Sequence, residues 1–168
     1  EGNAPPQWAG MKFFNVYGPN EYHKGDMRSL VAKNTELIAR GDTIRLFKSH
    51  KDGYADGAQL RDFVYVKDCT AVMLWLMDHP GSSGIFNLGT GQARSFVDLM
   101  QAIGKALNKP VNIEFVDMPE SIRPNYQYFT EARMHKLRAA GMTAAFHSLE
   151  EGVADYVRQY LVRADAYR

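Results

Sequence analysis

The sequence predicts an α/β protein in which short strands alternate with amphipathic helices around one core. Several short apolar runs are bounded by glycine, proline or aspartate, as is typical of buried strands. Between these runs, apolar residues recur at steps of three and four, which indicates helices with one buried face. The 168 residues include 45% hydrophobic side chains, enough to bury one sizeable core.

The first predicted strand covers residues 10–17 and ends at a Gly-Pro pair. Its nearly continuous apolar character is typical of a strand that is covered on both faces. Asn15 interrupts the run, and a buried amide needs a hydrogen-bond partner, either the chain's own backbone or a ligand at the strand's carboxyl end. A polar turn with His23 and Lys24 follows, at the strand-to-helix crossing where ligands bind in open α/β sheets.

Five helices are predicted where periodic apolar residues follow a side chain able to cap a helix N-terminus. Such a side chain accepts hydrogen bonds from the first free backbone N–H groups, and a glycine often closes the other end. The helix after Asp68 is nearly all apolar, so we expect it to be deeply buried. In chain order, the helices follow Asp26 (residues 27–40, closed by Gly41), Asp68, the capping box of Ser95 and Asp98, Thr130 (ending at Gly141), and the capping box of Ser148 and Glu151.

Four further strands are predicted at residues 44–47, 63–66, 85–88 and 111–116. The segment 49–59 is rich in Gly, Asp and Ser, so it is expected to form a functional or mobile loop. The segment 118–129 contains two prolines and has no helical period, which favours a loop that faces or covers a substrate.

The tripeptide Gly89-Thr90-Gly91 follows a predicted strand but has the wrong spacing for a G-x-G-x-x-G fingerprint. It also lacks the acidic residue, about 20 positions later, that contacts a ribose in dinucleotide-binding folds. We therefore interpret it as a tight turn between strand and helix. The main dinucleotide-binding site is expected to lie outside this chain.

The formal net charge is +1, from 20 basic and 19 acidic residues without a block of like charge, so the composition favours neither nucleic-acid nor membrane binding. No apolar run approaches the roughly 20 residues that span a bilayer, and residues 1–7 lack the hydrophobic segment of a signal peptide. The single Cys69 excludes an internal disulfide and is expected to be a buried small hydrophobe in a reducing cytosol. The chain does not begin with Met, so we expect a piece of a longer protein.

Three motifs carry a resemblance to a known family: F-F-N-V-Y-G-P, R-D-F-V-Y-V-K-D and I-F-N-L-G-T-G, in this order. They resemble the C-terminal half of the extended short-chain dehydrogenase/reductases of the NAD-dependent epimerase/dehydratase family, which act on nucleotide sugars. The segments E-Y-H-K-G, Y-Q-Y-F-T and L-R-A-A-G are similar to those members that epimerise an ADP-linked heptose. The resemblance extends from about Met11 to Tyr160.

The resemblance implies a fold made of the C-terminal strands of a Rossmann-like sheet and the small α/β substrate-binding domain of that family. Residues 1–168 would then be the C-terminal part of a nucleotide-sugar epimerase, mainly its substrate-binding domain, without the N-terminal dinucleotide-binding half. That other half would supply the glycine-rich NADP site and a Tyr-x-x-x-Lys pair, which this sequence does not contain. We therefore expect the chain to be inactive on its own.

The implied activity is that of an isomerase, which epimerises C6 of the heptose in ADP-glycero-manno-heptose by NADP-dependent oxidation and re-reduction. This reaction would contribute to a lipopolysaccharide core precursor in the cytoplasm. The implied partners are a small-molecule nucleotide sugar and further copies of the chain in a homo-oligomer, with no metal, nucleic acid or membrane. One alternative is a nucleotide-sugar 4-epimerase or 4,6-dehydratase, which the segment E-Y-H-K-G disfavours. The other is a non-catalytic nucleotide-sugar-binding module.

The resemblance assigns Lys24 as an acid/base group and, together with Val16, as a cofactor contact. Inverting a carbon requires proton-handling groups on both of its faces, and the tyrosine of the other half would serve the second face. A lysine acts as a base only where burial or neighbouring cations favour its neutral form, and His23 and Arg28 are close enough in sequence to contribute. The competing interpretation of Lys24 is an exposed loop lysine.

The resemblance also assigns a set of substrate-binding positions. Asp26 and Lys33 stand where the family pattern more often has serine and histidine. Asn15 has the alternative of satisfying its own amide within a turn. Tyr128 and Phe129 are expected to pack rather than to bind. The substrate-binding set is Asn15, Asp26, Lys33, Phe47, Lys48, Ser49, His50, Arg61 and Tyr126.

Two members of this set have specific chemistry. Arg61 would hold the nucleotide diphosphate, because its planar guanidinium can bind two phosphate oxygens at once. The alternative for Arg61 is a surface ion pair with Asp62 or Asp68, which would contribute little. Phe47 has the ring needed to stack on adenine, and it is equally suited to the core.

Overall fold

The computed structural model of the protein describes residues 5–163. Residues 1–4 of the predicted N-terminal segment lie outside this range. The strands are β1 Ala9–Phe13, β2 Asn15–Tyr17, β3 Ile44–Phe47, β4 Leu60–Arg61, β5 Phe63–Tyr65, β6 Gly84–Leu88, β7 Arg94–Ser95 and β8 Ile113–Val116. The helices are α1 Leu30–Arg40, α2 Val66–Asp78, α3 Phe96–Leu107, α4 His135–Ala139 and α5 Leu149–Tyr156, with 3-10 turns at Tyr22–Met27 and Arg123–Asn125 and a π-helical turn at Val157–Leu161.

The strands pair mainly in parallel, as the alternation of strands and helices predicted. β1 pairs with β6, β2 with β5, and β3 with β8, all parallel, while the short β4 and β7 are antiparallel. β3 and β8 are parallel neighbours in one sheet, so the segments that follow these two strands lie at the same edge. The described helices and strands confirm the predicted α/β class, including the strand at residues 44–47.

The predicted first strand, residues 10–17, is divided at Phe14 because the chain changes its neighbour there. The Phe14 N–H donates to the carbonyl of Leu88 at 3.0 Å, and the Asn15 N–H donates to the carbonyl of Asp62 at 3.0 Å. Burial on both faces is a wrong prediction for this segment, since Phe13 is 49% exposed. An apolar run reports hydrophobicity, but it does not report which neighbours cover each face.

Three predicted helix starts are wrong, and each has a structural reason. Asp26 is not an N-cap, because residues 22–27 form a 3-10 turn and Ser29 caps α1 by accepting from the Ala32 N–H at 3.3 Å. Asp68 lies inside the first turn of α2, where it bonds to His147. Thr130 is followed by four residues that form neither helix nor strand, and α4 begins only at His135.

Two predicted capping boxes are confirmed, at the starts of α3 and α5. Ser95 accepts from the Asp98 N–H while the Asp98 carboxylate accepts from the Ser95 N–H. Ser148 and Glu151 repeat this arrangement. The glycine closing α1, Gly41, adopts the left-handed conformation that this position favours. These signals are local, so they do not depend on the rest of the fold.

The core consists of two clusters, one on each side of β5. One cluster unites the inner faces of α1, α3 and α5 with β3, and the other lies between α2, β6 and α4. α2 is buried along one face only, so the predicted deep burial is wrong: Leu74 is 56% and Met77 73% exposed. Cys69 is buried as predicted, and this burial raises the pKa of its thiol to about 12.

None of the helices in residues 5–163 is long and apolar enough to cross a membrane. Within the same residues, no group of three or more His, Cys, Asp and Glu side chains is arranged to hold a metal ion.

Gly18 closes β2 in a conformation that no other residue adopts easily, and it touches the start of α2. Its φ is +147°, and an added Cβ would lie 2.9 Å from the Cβ of Val66. We expect Gly18→Ala to lower the free energy of unfolding by about 2 kcal/mol, because backbone strain and overlap add. Urea unfolding of the chain measures this change. Gly81→Ala is the matched control, since its added Cβ meets open space; equal losses for both variants would contradict the prediction.

Candidate functional site

Three adjoining cavities lie beside β2, β3 and the loop after β8. The first, about 330 Å³, lies between β2, the turn after it and the start of α1. The second, about 290 Å³, lies between α1, β3 and Tyr126, and the third, about 480 Å³, lies between Arg61 and the loop after β8. Leu30 and Phe96 line both the first and the second, while Tyr126 lines both the second and the third.

The first cavity brings together three of the residues predicted from the sequence: Asn15, Val16 and Lys24. Asn15 lies in β2 and is exposed, so its predicted burial is wrong. No residue of 5–163 hydrogen-bonds its side-chain amide, so the interpretation as a self-satisfied turn residue is also wrong. Lys24 is exposed in the turn after β2, as its competing interpretation expected, but it also lines the rim of the first cavity. Its backbone N–H donates to the carbonyl of Glu21 at 3.0 Å. The amide and the amine therefore face the same space.

Arg61 is the buried cation of the third cavity, with 8% of its surface exposed. Its guanidinium lies 5.6 Å from the ring centre of Phe96 and 5.4 Å from that of Tyr126, and it donates to the carbonyl of Leu60 at 2.8 Å. Burial lowers the pKa of Arg61, because the charged group loses water there. An anionic ligand would restore the lost solvation.

The predicted ion pair of Arg61 with Asp62 or Asp68 is wrong for the described part of the chain. Asp62 is fully buried, and it accepts from the N–H groups of Thr90 (2.7 Å), Gly91 (2.9 Å) and Ala132 (2.9 Å). Asp68 is bound to His147, with 2.7 Å between Oδ1 and the ring nitrogen Nδ1. Both carboxylates are committed elsewhere, so the guanidinium remains without an anionic neighbour among residues 5–163.

The bonds of Asp62 also explain the Gly89-Thr90-Gly91 tripeptide. Its N–H groups, which would cradle a phosphate in a dinucleotide site, hold a carboxylate of the chain itself. A Cβ on Gly89 would lie 2.6 Å from Asp62 Oδ2, so only glycine fits this close approach. The chain bends at Gly89 and Gly91, but the bend joins β6 to β7 rather than a strand to a helix as predicted. The sequence analysis missed Asp62 because its partners are 28 to 70 residues away.

Aromatic rings form the wall that joins the second and third cavities. The Phe47 and Tyr126 rings meet edge to face, with 6.3 Å between their centres. Partial burial raises the pKa of Tyr126, so its phenol is a neutral hydrogen-bond donor at this wall. Tyr128 packs as predicted, whereas Phe129 is 51% exposed, so its predicted packing is wrong.

Five residues of the predicted set do not line any of the three cavities: Asp26, Lys33, Lys48, Ser49 and His50. Lys48 pairs with Asp117 at 3.5 Å. The backbone N–H groups of Ser49 and His50 donate to Asp56 Oδ1 (2.7 Å) and to the hydroxyl of Tyr128 (3.0 Å). Their roles toward a ligand stay predictions.

The structure adds cavity residues that the sequence analysis did not assign to the site. Asn34 and Gln59 line the second cavity, and Glu21 and Ser29 line the first. Glu21 is the clearest omission, since it is a carboxylate with only 4% of its surface exposed. The acidic residue directly before Y-H-K-G was the available signal, but its buried partners were not visible in the sequence.

The model of a known protein family, described as the NAD dependent epimerase/dehydratase family, matches residues 7–89, a segment that includes β1 to β6. A relative from Nitratidesulfovibrio vulgaris (strain DP4), named ADP-L-glycero-D-manno-heptose-6-epimerase, is 55% identical over 159 residues, which are 95% of this chain and 49% of the relative. The chain belongs to the NAD-dependent epimerase/dehydratase family. Another similar relative, from Fusobacterium nucleatum and with the same name, is 50% identical over 98% of this chain and 52% of its own length.

Solved structures of proteins that resemble this family member have the same fold. The ADP-L-glycero-D-manno-heptose-6-epimerase of Helicobacter pylori is 27% identical, with a TM-score of 0.72 over 91% of this chain and 44% of that chain. The UDP-glucose 4-epimerase of Thermotoga maritima is 25% identical, with a TM-score of 0.71 over 90% of this chain and 45% of that chain. These similarities confirm the predicted fold class, that of the extended short-chain dehydrogenase/reductases. The chain spans about half the length of the curated relatives that it matches.

Proposed function

We propose that this chain is the substrate-binding part, and the C-terminal half, of an enzyme that epimerises C6 of the heptose in ADP-glycero-manno-heptose. The observation that carries the proposal is the 55% identity, over 95% of the chain, to a relative with that activity in its name. The matched stretch covers nearly the whole chain, so the proposal does not depend on a short local motif.

The chemistry of the cavity linings supports this proposal, because a nucleotide sugar needs a cation for its diphosphate, an aromatic face for its base and polar groups for its sugar. Arg61 supplies a buried cation without a carboxylate partner for the diphosphate. Phe47 offers an aromatic wall to the base in the second cavity. Asn15 and Lys24 then meet the sugar in the first cavity. The Arg61 guanidinium lies against Phe96, which lines both the first and the second cavity, so the diphosphate would lie near Phe96, between the base and the sugar.

The proposed part of Lys24 in the reaction is to hold and move a proton at Nζ on one face of the sugar carbon. Proton transfer by a positioned side chain requires hydrogen-bond reach, which the rim position of Lys24 allows. Asn15 would orient a sugar hydroxyl through its free amide, and the walls of the cavity would exclude water. The opposite face needs a second acid/base group, which we assign to the other half of the enzyme.

A nicotinamide cofactor, proposed as NADP, would take up and return a hydride when bound. The Gly89-Thr90-Gly91 turn would not bind the phosphates of such a cofactor, since its N–H groups already donate to Asp62. The described residues would therefore supply only a small part of the cofactor site. Val16 and Lys24, at the first cavity, are the proposed contacts of this chain. The remaining contacts belong to the other half, in a homo-oligomer that we place in the cytoplasm.

A chimeric enzyme tests the proposed function. In the Nitratidesulfovibrio vulgaris relative, the half that this chain matches is replaced by the chain itself. We expect the chimera to interconvert the two C6 epimers of ADP-glycero-manno-heptose, and the isolated chain to show no turnover. Chromatographic separation of the epimers measures both reactions.

The controls separate a wrong function from a failed protein. Circular dichroism and bound-cofactor absorbance verify that the chimera is folded and loaded. A loaded chimera that leaves ADP-glycero-manno-heptose unchanged would overturn the proposal, and conversion of UDP-glucose instead would assign the chain to a 4-epimerase. Turnover by the isolated chain would contradict its role as one half of an enzyme.

A further inference from the structure

We propose that Glu21 is a positioning residue that holds Lys24 at the rim of the first cavity. This inference rests on the proposed function for the role of Lys24. The structural part, that the Glu21 carboxylate fixes the shape of the segment from Glu21 to Ser29, stands on the contacts described below.

Glu21 is a buried carboxylate whose two oxygens are both occupied by donors of the chain. Oε2 accepts from the Ser29 N–H at 2.7 Å, and Oε1 accepts from the Ser29 hydroxyl at 2.6 Å and from the Tyr156 hydroxyl at 2.9 Å. Hydrogen bonds to an ionised acceptor are stronger than neutral ones. The carboxylate therefore joins the beginning of the segment to its end and to α5.

The segment between these two anchors contributes no fully buried residue to the core. Residues 22–27 include no buried residue. Gly25 adopts φ 52° and ψ −123°, a backbone conformation that favours glycine, and its carbonyl accepts from the Arg28 side-chain Nε at 2.9 Å. The Lys24 N–H is bonded to the Glu21 carbonyl. Lys24 thus lies on a short turn whose closure depends on Glu21 rather than on core packing.

Tyr156 connects this turn to the core. It is fully buried in α5, and its hydroxyl reaches Glu21 from 135 positions along the chain. Burial and the nearby Glu21 carboxylate raise the pKa of Tyr156, so its hydroxyl remains a donor at neutral pH. α5 packs on α3, which supplies the cavity residues Phe96 and Leu99. The hydrogen bonds of Glu21 therefore fix the position of the Lys24 turn relative to α5 and α3, and α3 also lines the cavity.

In the chimera, Glu21→Ala is expected to lower kcat by roughly tenfold to a hundredfold, because displacement of a catalytic group by about 1 Å can have an effect of this size. KM for the sugar nucleotide should change little, since the carboxylate oxygens are occupied within the chain. Glu151→Ala is the matched control: Glu151 also accepts from the N–H and hydroxyl of a serine, Ser148, but at the exposed start of α5. We expect it to lower stability without lowering kcat.

A double-mutant cycle distinguishes positioning from general stabilisation. If Glu21 acts through Lys24, Glu21→Ala should have almost no further effect on kcat in the Lys24→Met background. Full, additive losses in the double variant would overturn the proposal. Tyr156→Phe removes one of the three donors to Glu21. It should lower kcat by an intermediate amount in the chimera that retains Lys24, and it should have no further effect in the Lys24→Met chimera.

Hydrogen exchange on the chain itself tests the structural part without any activity. Glu21→Ala should accelerate exchange of the Lys24 and Ser29 amides by about tenfold or more, while the amides in the centre of α3 stay protected. Unchanged exchange at both amides would overturn the proposal whatever the chimera does. An inactive wild-type chimera with accelerated exchange in the variant would remove the proposed function and retain Glu21 as the anchor of this turn.

Discussion

Replacing Lys24 with methionine in the chimera is expected to lower the rate of epimerisation by roughly 10³-fold, within the range that a positioned acid/base group contributes. Methionine keeps an unbranched side chain of similar length but cannot carry a proton. Lys24 lies at the exposed rim of the first cavity, so its loss should not disturb the core. The measurement is kcat for interconversion of the ADP-glycero-manno-heptose epimers.

Lys109→Met is the matched control for this experiment, since it makes the same change at an exposed lysine outside the three cavities. The control should retain the activity of the chimera, and both variants should remain loaded with cofactor, because most of the proposed cofactor contacts belong to the other half. Unchanged kcat in Lys24→Met would remove Lys24 from the mechanism. Loss of bound cofactor together with activity would instead assign it to cofactor binding.

Replacing Arg61 with alanine is expected to weaken the binding of ADP by about 100-fold, since charge-assisted hydrogen bonds to a diphosphate are among the stronger polar contacts. The guanidinium lies between the rings of Phe96 and Tyr126, so its orientation is already determined before a ligand binds. Isothermal titration of the chain with ADP measures the change in Kd.

Two further variants make the Arg61 result specific. Arg61→Lys keeps the charge but loses the planar fork, so most of the loss in affinity should remain. Arg40→Ala removes an exposed arginine that pairs with Glu36 and Asp42, and it should leave Kd unchanged. Equal affinity of the parent and Arg61→Ala would show that the diphosphate is held elsewhere.

Signals that operate within a few residues were predictable from the sequence. The capping boxes at Ser95 and Ser148 were found because each serine and its acidic partner are three residues apart. The closure of α1 at Gly41 was found for the same reason. Asp68 and Thr130 are residues with good capping chemistry that do not cap. Asp68 binds His147, 79 positions away, and residues 131–134 form neither helix nor strand before α4 begins.

The candidate site was predictable in part. As with the helix caps, features that depend on neighbouring residues were found, and features that depend on distant residues were missed. Asn15, Lys24, Arg61 and Tyr126 were assigned from motifs, and the structure places them in three cavities that share walls. Their roles remain predictions for the experiments above. The carboxylate of Glu21 was missed, because its bond to α5 joins residues far apart in the chain.

The sequence by itself determined the α/β class, the apolar faces of the helices and the motifs of the epimerase/dehydratase family, because these depend on residue order within short windows. Only the tertiary structure decided where the first strand changes its neighbour, which carboxylates are occupied, and that Arg61 is buried without an anion among residues 5–163. The physical reason is that hydrogen bonds such as those of Asp62 and Glu21 join segments 70 and 135 positions apart. Packing of distant helices brings such groups together, and the local periodicity of the sequence does not show which distant segments will pack.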